Sequence, residues 1–271
     1  MPTRVSYTAL PDAIPVAGLP ALPMRLHGAR RPGAPTPVVL HLHGGAFVGG
    51  DLDSGESLAQ LLAQAGAVVV SIAYPLAPEH PFPVALEASY VALQWIARKR
   101  LRLGGAGAPL FVAGEEAGGN LAAALALGAR DRGEPRLEGQ ILVTPMLDPC
   151  SAMPSKRAAT GGDVSCKWST GWSQYLRKPM DAEHPYAVPA HASRLGGLPP
   201  ALVLAGEDDP MRDEARAYAE RLRQAGVVVR TALVPATGWP QSLEAPPHSC
   251  PCEQAVIGHL RGFLDMPATP S

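Results

Sequence analysis

The chain has little of what marks several common classes of protein. Its 23 basic and 24 acidic side chains give a formal net charge of -1 over 271 residues, so it lacks the basic surface that binding to nucleic acid requires. No stretch approaches the ~20 apolar residues of a membrane span, and residues 1–22 contain no apolar run long enough for a signal peptide. We therefore expect a cytoplasmic protein with no nucleic-acid partner and no membrane span.

Cysteine is also scarce. The four cysteines are Cys150, Cys166, Cys250 and Cys252. In a cytosolic protein of this size they are expected to be free thiols rather than a disulfide framework. His248 with the last two cysteines suggests a zinc site, but zinc needs three or four ligands and Pro251 stiffens the spacing. We favour a solvated loop there, and the sequence indicates neither a metal nor a cofactor.

What the chain does contain is a regular alternation of two patterns. Residues 37–42 and 67–72 are short apolar runs rich in β-branched residues, as in buried parallel strands, and residues 55–65 between them have helical periodicity. Further strands are expected at 109–113, 140–144, 201–205 and 227–234, and further helices at 83–98, 120–130, 212–225 and 252–264. This alternation predicts one α/β domain with a mostly parallel sheet covered on both faces.

One segment interrupts the alternation. Residues 148–197 are rich in Pro, Gly and Ser and contain Trp168, Trp172 and Tyr175 at helix-like spacing. Because ligands of parallel sheets bind beyond the carboxyl ends of the strands, an insertion there is expected to form a small lid over a pocket. For the three aromatic residues we favour packing against the lid floor over stacking on a ligand.

A glycine-rich segment follows the first strand of the alternation. The sequence His43-Gly44-Gly45 comes directly after it, and glycines allow a tight turn that leaves amide N–H groups unshielded, as the stabilisation of an oxyanion requires. An ordinary glycine-rich turn is the simpler alternative. His43 is expected to support the loop by hydrogen bonds rather than exchange protons.

A second motif lies between the strand ending at Ala113 and the next helix. Gly114 and Gly118 flank Glu116 at two positions on each side, which is the spacing of the G-x-S-x-G nucleophile elbow. The position that a serine would occupy is glutamate, so the hydroxyl that attacks a carbonyl carbon in that motif is absent.

Five segments in order resemble a known family. They are residues 43–51, 74–83, 114–121, 144–149 and 209–214. Together they resemble the hormone-sensitive-lipase family of bacterial esterases, the α/β-hydrolase fold-3 group. The resemblance implies an α/β-hydrolase domain at residues 36–266, an N-terminal extension at 1–35 with a reduced cap, and a tail at 267–271.

The resemblance also assigns roles to positions. It implies a serine at Glu116, the catalytic acid at Asp209 and a histidine at Thr237, so only the acid is kept. The oxyanion-hole donors that it implies are the backbone N–H groups of Gly44, Gly45 and Ala117. An acid that opens a helix, as Asp209 does, has the simpler role of a cap.

From these losses we expect a catalytically degenerate member of the family, inactive as a serine esterase, which binds a small apolar or carbonyl ligand. The Glu116 carboxylate is expected to fold into the vacant oxyanion hole, where N–H groups and a helix N-terminus stabilise negative charge.

Two other functions stay open. One is an active hydrolase of short-chain carboxylic esters that uses a non-standard site whose residues the sequence does not identify. For single residues, the sequence leaves open Glu116 as a carboxylate nucleophile, Glu116 paired with Asp209 as acid and base, and a return of His248 to the site by its loop. The other is a structural or partner-binding protein. Family members often pair through the last strand, here 227–234, so a homodimer is also expected.

Overall fold

The computed structural model describes residues 10–149, 154–155, 163–235 and 251–266. Within them the strands are β1 (Ala13–Ile14), β2 (Leu22–His27), β3 (Val38–Leu42), β4 (Val68–Ile72), β5 (Leu110–Glu115), β6 (Gly139–Val143), β7 (Ala201–Gly206) and β8 (Val229–Val234). The helices are α1 (Glu56–Gln64), α2 (Val84–Gly104), α3 (Ala117–Arg132), α4 (Asp163–Tyr175), α5 (Arg212–Gln224) and α6 (Pro251–Leu264). Two short 3-10 helices cover Pro179–Glu183 and Pro189–His191.

The described strands form one sheet in the order β1-β2-β4-β3-β5-β6-β7-β8. From β4 to β8 all neighbours in this order are parallel, whereas β2 pairs antiparallel with β4 and with β1. All residues of β3 to β7 are buried, which explains their continuous apolar runs. The α/β fold class is confirmed.

Two apolar layers cover the sheet. One contains α2, α3, α4 and α5, and the other contains α1 and α6. Neighbouring residues of a strand point to opposite layers, so Leu40 packs in the first and Val39 in the second. Helix α3 is buried from Ala117 to Ala129, because its small Ala and Gly side chains let it lie close to β5 and β6.

Helix α4 lies directly on the loop that follows β3. A Cβ atom on Gly171 would clash with the carbonyl oxygen of Ala46, so the helix and the loop touch through their backbones. The Phe47 ring stacks on the Tyr175 ring with centroids 3.9 Å apart, and the Trp172 ring is 5.0 Å from Phe47. This aromatic cluster fixes α4 over the carboxyl ends of the strands.

Over the described ranges, no helix combines the length and apolar character that crossing a membrane needs. No group of three or more His, Cys, Asp or Glu in those ranges could hold a metal ion. Strand β8 is at the edge of the sheet, and Val228 and Leu233 are exposed there. Pairing of two copies through this edge stays a prediction, as does cytoplasmic residence.

Candidate functional site

The turn between β5 and α3 has the geometry of a strained elbow. Glu116 stands between them with φ 52° and ψ −114°, a conformation that costs a non-glycine residue about 1–3 kcal/mol. A Cβ atom on Gly114 would clash with the Gly118 carbonyl, and one on Gly118 with the Leu42 carbonyl. The two glycines of the motif are therefore required by backbone contact, and Ala117 is buried at the first position of α3.

The Glu116 carboxylate is held at both oxygens. Oε2 accepts hydrogen bonds from the backbone N–H groups of Gly45, at 2.6 Å, and Ala46, at 3.2 Å. Oε1 accepts a hydrogen bond from the indole N–H of Trp168, and the ammonium of Lys167 is 3.9 Å away. The side chain is 16% exposed. The elbow residue is thus bound by the loop after β3 on one side and by α4 on the other.

Gly44 differs from the expectation that its N–H would serve the elbow residue. It donates instead to Glu115 Oε1, at 3.1 Å, and Glu115 Oε2 is 2.8 Å from His41 Nε2. His41 Nδ1 is in turn 2.9 Å from Ser71 Oγ. These three side chains meet because β3, β4 and β5 are parallel neighbours and all three point to the α1 and α6 face. All are buried.

Neither this network nor the Ala46 donor followed from the motifs. The usable signal was the alternation along the strands, which places His41 on the same face as Val39, with an acid at the end of the neighbouring strand. The Trp168 contact had no such signal, because it joins residues 52 positions apart.

His43 contacts its own loop and the ring of Tyr74. Its Nδ1–H donates to the Gly44 carbonyl at 2.7 Å, and its ring stacks on Tyr74 with centroids 4.2 Å apart. The Tyr74 hydroxyl donates to the His43 carbonyl at 2.8 Å. Burial lowers the pKa of His43, so the imidazole is neutral at neutral pH. Loop support, as distinct from proton exchange, remains the proposal for this residue.

Asp209 lies just after β7 and is 1% exposed. Its Oδ1 accepts the Met211 N–H at 2.7 Å, an Asx turn before α5, while Oδ2 has no hydrogen-bond partner among the described residues. Burial raises the pKa of Asp209 to about 6, and the charges of Asp208 and Glu116 add to the increase. Asp209 is therefore close enough to Glu116 to respond to its charge.

The other residues that the sequence analysis named form two groups: those that the structure describes and those that lie outside the described residues. Trp172 and Tyr175 are buried and Trp168 is half-buried against the same apolar layer, so all three pack on that layer, and their place in a lid stays a prediction. Thr237 and His248 lie outside the described residues.

A glycine loop after β3, a strained elbow after β5 and a buried acid after β7, all at one edge of a mostly parallel sheet, define an α/β hydrolase. A family model described as an alpha/beta hydrolase fold matches residues 39–239. The chain belongs to this family.

Several relatives of the chain are named as esterases or ester hydrolases. The chain is 38% identical over 200 residues to esterase LipI of Mycobacterium tuberculosis, which covers 72% of this chain and 62% of LipI. It is 36% identical over 222 residues to the ethyl acetate hydrolase of Pseudomonas putida, covering 79% and 69%. The solved structure of esterase LipW from Mycobacterium marinum superposes with a TM-score of 0.82 at 33% identity, covering 94% of this chain and 80% of LipW. The chain thus spans less than two thirds of the length of LipI.

The expectation of a catalytically degenerate protein is wrong on this comparison. Relatives that are 38% and 36% identical are named an esterase and an ethyl acetate hydrolase, which favours an active ester hydrolase. That expectation gave the side chains at Glu116 and Thr237 more weight than the backbone N–H donors around Glu116. A carboxylate at the elbow removes the serine hydroxyl, but it is itself a base held beside N–H donors.

Proposed function

We propose that the protein is a hydrolase of short-chain carboxylic esters. The observation that carries this proposal is the pair of N–H groups, from Gly45 and Ala46, that converge on one oxygen of the elbow side chain. An ester carbonyl oxygen at that place would receive the same two hydrogen bonds, which strengthen as negative charge develops on it. The names of the relatives, one of them for ethyl acetate, support an ester of small size.

Glu116 stands, in this proposal, where related esterases have serine, and Thr237 stands where they have histidine. The support for the first is the elbow itself, with its strained φ and the two glycines that admit no side chain. The support for the second is the order of the sequence motifs.

A carboxylate at this position acts most simply as a general base. Once the ester carbonyl takes the place of Glu116 Oε2 on the two N–H groups, the carboxylate removes a proton from a water molecule while that water attacks the carbonyl carbon. Collapse of the tetrahedral oxyanion breaks the bond to the alcohol oxygen, which takes the proton back from Glu116. The products are the free acid and the alcohol.

We also propose that residues 148–197 form the lid of a hydrolase domain at 36–266. The support is the contact of α4 with the loop after β3 and the Trp168 hydrogen bond to Glu116. Because β2 pairs with β4, the sheet itself begins before residue 36.

The test is hydrolysis of p-nitrophenyl acetate and butyrate by the purified full chain. Wild type is expected to exceed a heat-denatured control, and Glu116→Gln to lose at least ~100-fold in kcat, because an amide of the same size cannot accept the proton. The exposed acid Glu220 on α5 is the matched control, and Glu220→Gln is expected to leave turnover unchanged. Turnover that survives in Glu116→Gln would contradict the proposed role.

A further inference from the structure

Hydrogen-bond donors and a cation surround the Glu116 carboxylate, as they would surround a bound carboxylate ligand. Gly45 and Ala46 bind one oxygen through N–H groups, and Trp168 binds the other, with the Lys167 cation at 3.9 Å. Hydrogen bonds to an ionised acceptor are about twice as strong as neutral ones. Donors from two separate elements therefore enclose a single carboxylate group.

These donors do not depend on the Glu116 side chain for their placement. The Gly45 carbonyl accepts the N–H groups of Val48 and Gly49, at 3.0 and 2.9 Å, which closes the loop as a turn. Ala46 is pinned by the backbone contact with Gly171 of α4. Removing the glutamate side chain should therefore leave the N–H groups of Gly45 and Ala46 in place.

The residues next to the donors are apolar. Phe47 follows the donor Ala46 along the chain, and Trp172 and Tyr175 follow Trp168 by one and two turns of α4. All three are buried and pack on one another. A carboxylate that carries a short aliphatic chain is compatible with these apolar neighbours, whereas a second charged group placed among them would be costly.

We propose that Gly45, Ala46 and Trp168 form a binding site for small aliphatic monocarboxylates, which Glu116 occupies from within the chain. A free acid competes with a tethered side chain whose effective concentration is in the millimolar range or above, so wild type binds such acids weakly. The inference rests on the proposed function in one respect, since the acid released by ester hydrolysis belongs to this ligand class.

Glu116→Gly is the variant that exposes the site. At φ 52° glycine is unstrained, so the variant removes the internal carboxylate while favouring the observed backbone. Glu116→Ala is the second variant, for use if the glycine variant does not fold by circular dichroism.

The experiment is a titration with sodium butyrate followed by the amide resonances of Gly45 and Ala46. The glycine variant is expected to bind butyrate at least tenfold more tightly than wild type, with shifts of both amides, whereas butyramide of the same size does not bind. Adding Trp168→Phe is expected to weaken butyrate binding at least fivefold, while Glu220→Gln leaves it unchanged.

A folded variant that does not bind butyrate, or that binds butyramide equally well, would overturn the proposed site. The titration needs no turnover, so the two proposals fail separately. Butyrate binding without any ester hydrolysis by wild type would refute only the proposed function. Hydrolysis without butyrate binding in the variants would refute only this site.

Discussion

At the scale of single residues, the site is a set of carboxylates in unlike surroundings. Glu116 has N–H donors on both oxygens, Glu115 is paired with a buried histidine, and Asp209 is buried with one oxygen unpartnered among the described residues. Burial without full pairing favours the neutral form of an acid. Asp209, the acid with the unpartnered oxygen, should therefore make the stability of the fold depend on pH.

Asp209 should make the fold less stable as the pH rises. Its pKa is about 6 in the fold, above the ordinary value of 3.8 that applies after unfolding, so the fold favours the protonated form. That contribution is fully present below pH 4 and is lost as the pH rises through 6, by on the order of 3 kcal/mol. Asp209→Asn is expected to unfold at a higher temperature than wild type at pH 7.5 and at the same temperature near pH 4.

The measurement is thermal unfolding at a series of pH values, with Asp12→Asn as the control because Asp12 is exposed. A difference between Asp209→Asn and wild type that did not change between pH 4 and 7.5 would show that the fold does not raise the pKa of Asp209.

The buried pair of His41 and Glu115 should be costly to break. His41→Leu leaves Glu115 Oε2 and Ser71 Oγ without their partner, and an unpaired buried charge costs about 3–5 kcal/mol. Urea unfolding should show a loss of that size, part of which returns in the double variant His41→Leu/Glu115→Leu. His259 on α6 is exposed, and His259→Leu is expected to change stability by under about 0.5 kcal/mol. A similar loss of unfolding free energy in His41→Leu and His259→Leu would contradict a stabilising role for the pair of His41 and Glu115.

At the scale of elements, helix α4 and the loop after β3 form one unit. Helix α4 touches Ala46 through Gly171 and Glu116 through Trp168. The helix-like spacing of its aromatic residues was readable from the sequence, as were most strands to within two residues. The position of α4 on the loop after β3 could not be predicted from the sequence, because it depends on a backbone contact between residues far apart in the chain.

Gly171→Ala tests this contact. The added methyl group would clash with the Ala46 carbonyl, so α4 must shift and Trp168 must move from Glu116. We expect a lower melting temperature and a fall in kcat/KM for p-nitrophenyl butyrate. Gly258→Ala is the matched control, since a Cβ there meets nothing within 4 Å and alanine should stabilise α6 by about 0.5–1 kcal/mol. If Gly171→Ala and Gly258→Ala changed the melting temperature and kcat/KM equally, the close contact of α4 with the loop would be contradicted.

At the scale of the whole molecule, sheet order brings the site together. The carboxyl ends of β3, β5 and β7 lie at one edge, which is why the order of the motifs sufficed to predict the loop, the elbow and Asp209 near one another. Strands β1 and β2 were not predicted, because Pro23 and the half-exposed Arg25 interrupt the apolar pattern. The hydrogen bonds of Glu115 could not be predicted from the sequence either. They depend on the register of the strands, and no local motif contains that register.

In the proposed mechanism Glu116 activates water for the hydrolysis of a short-chain ester. A single turnover of ethyl acetate in water labelled with oxygen-18, followed by mass spectrometry of the acetate and of the peptide that contains Glu116, tests it most directly. We expect one labelled oxygen in the acetate and none in Glu116. Absence of hydrolysis, or label in the Glu116 carboxylate from a covalent anhydride, would contradict it.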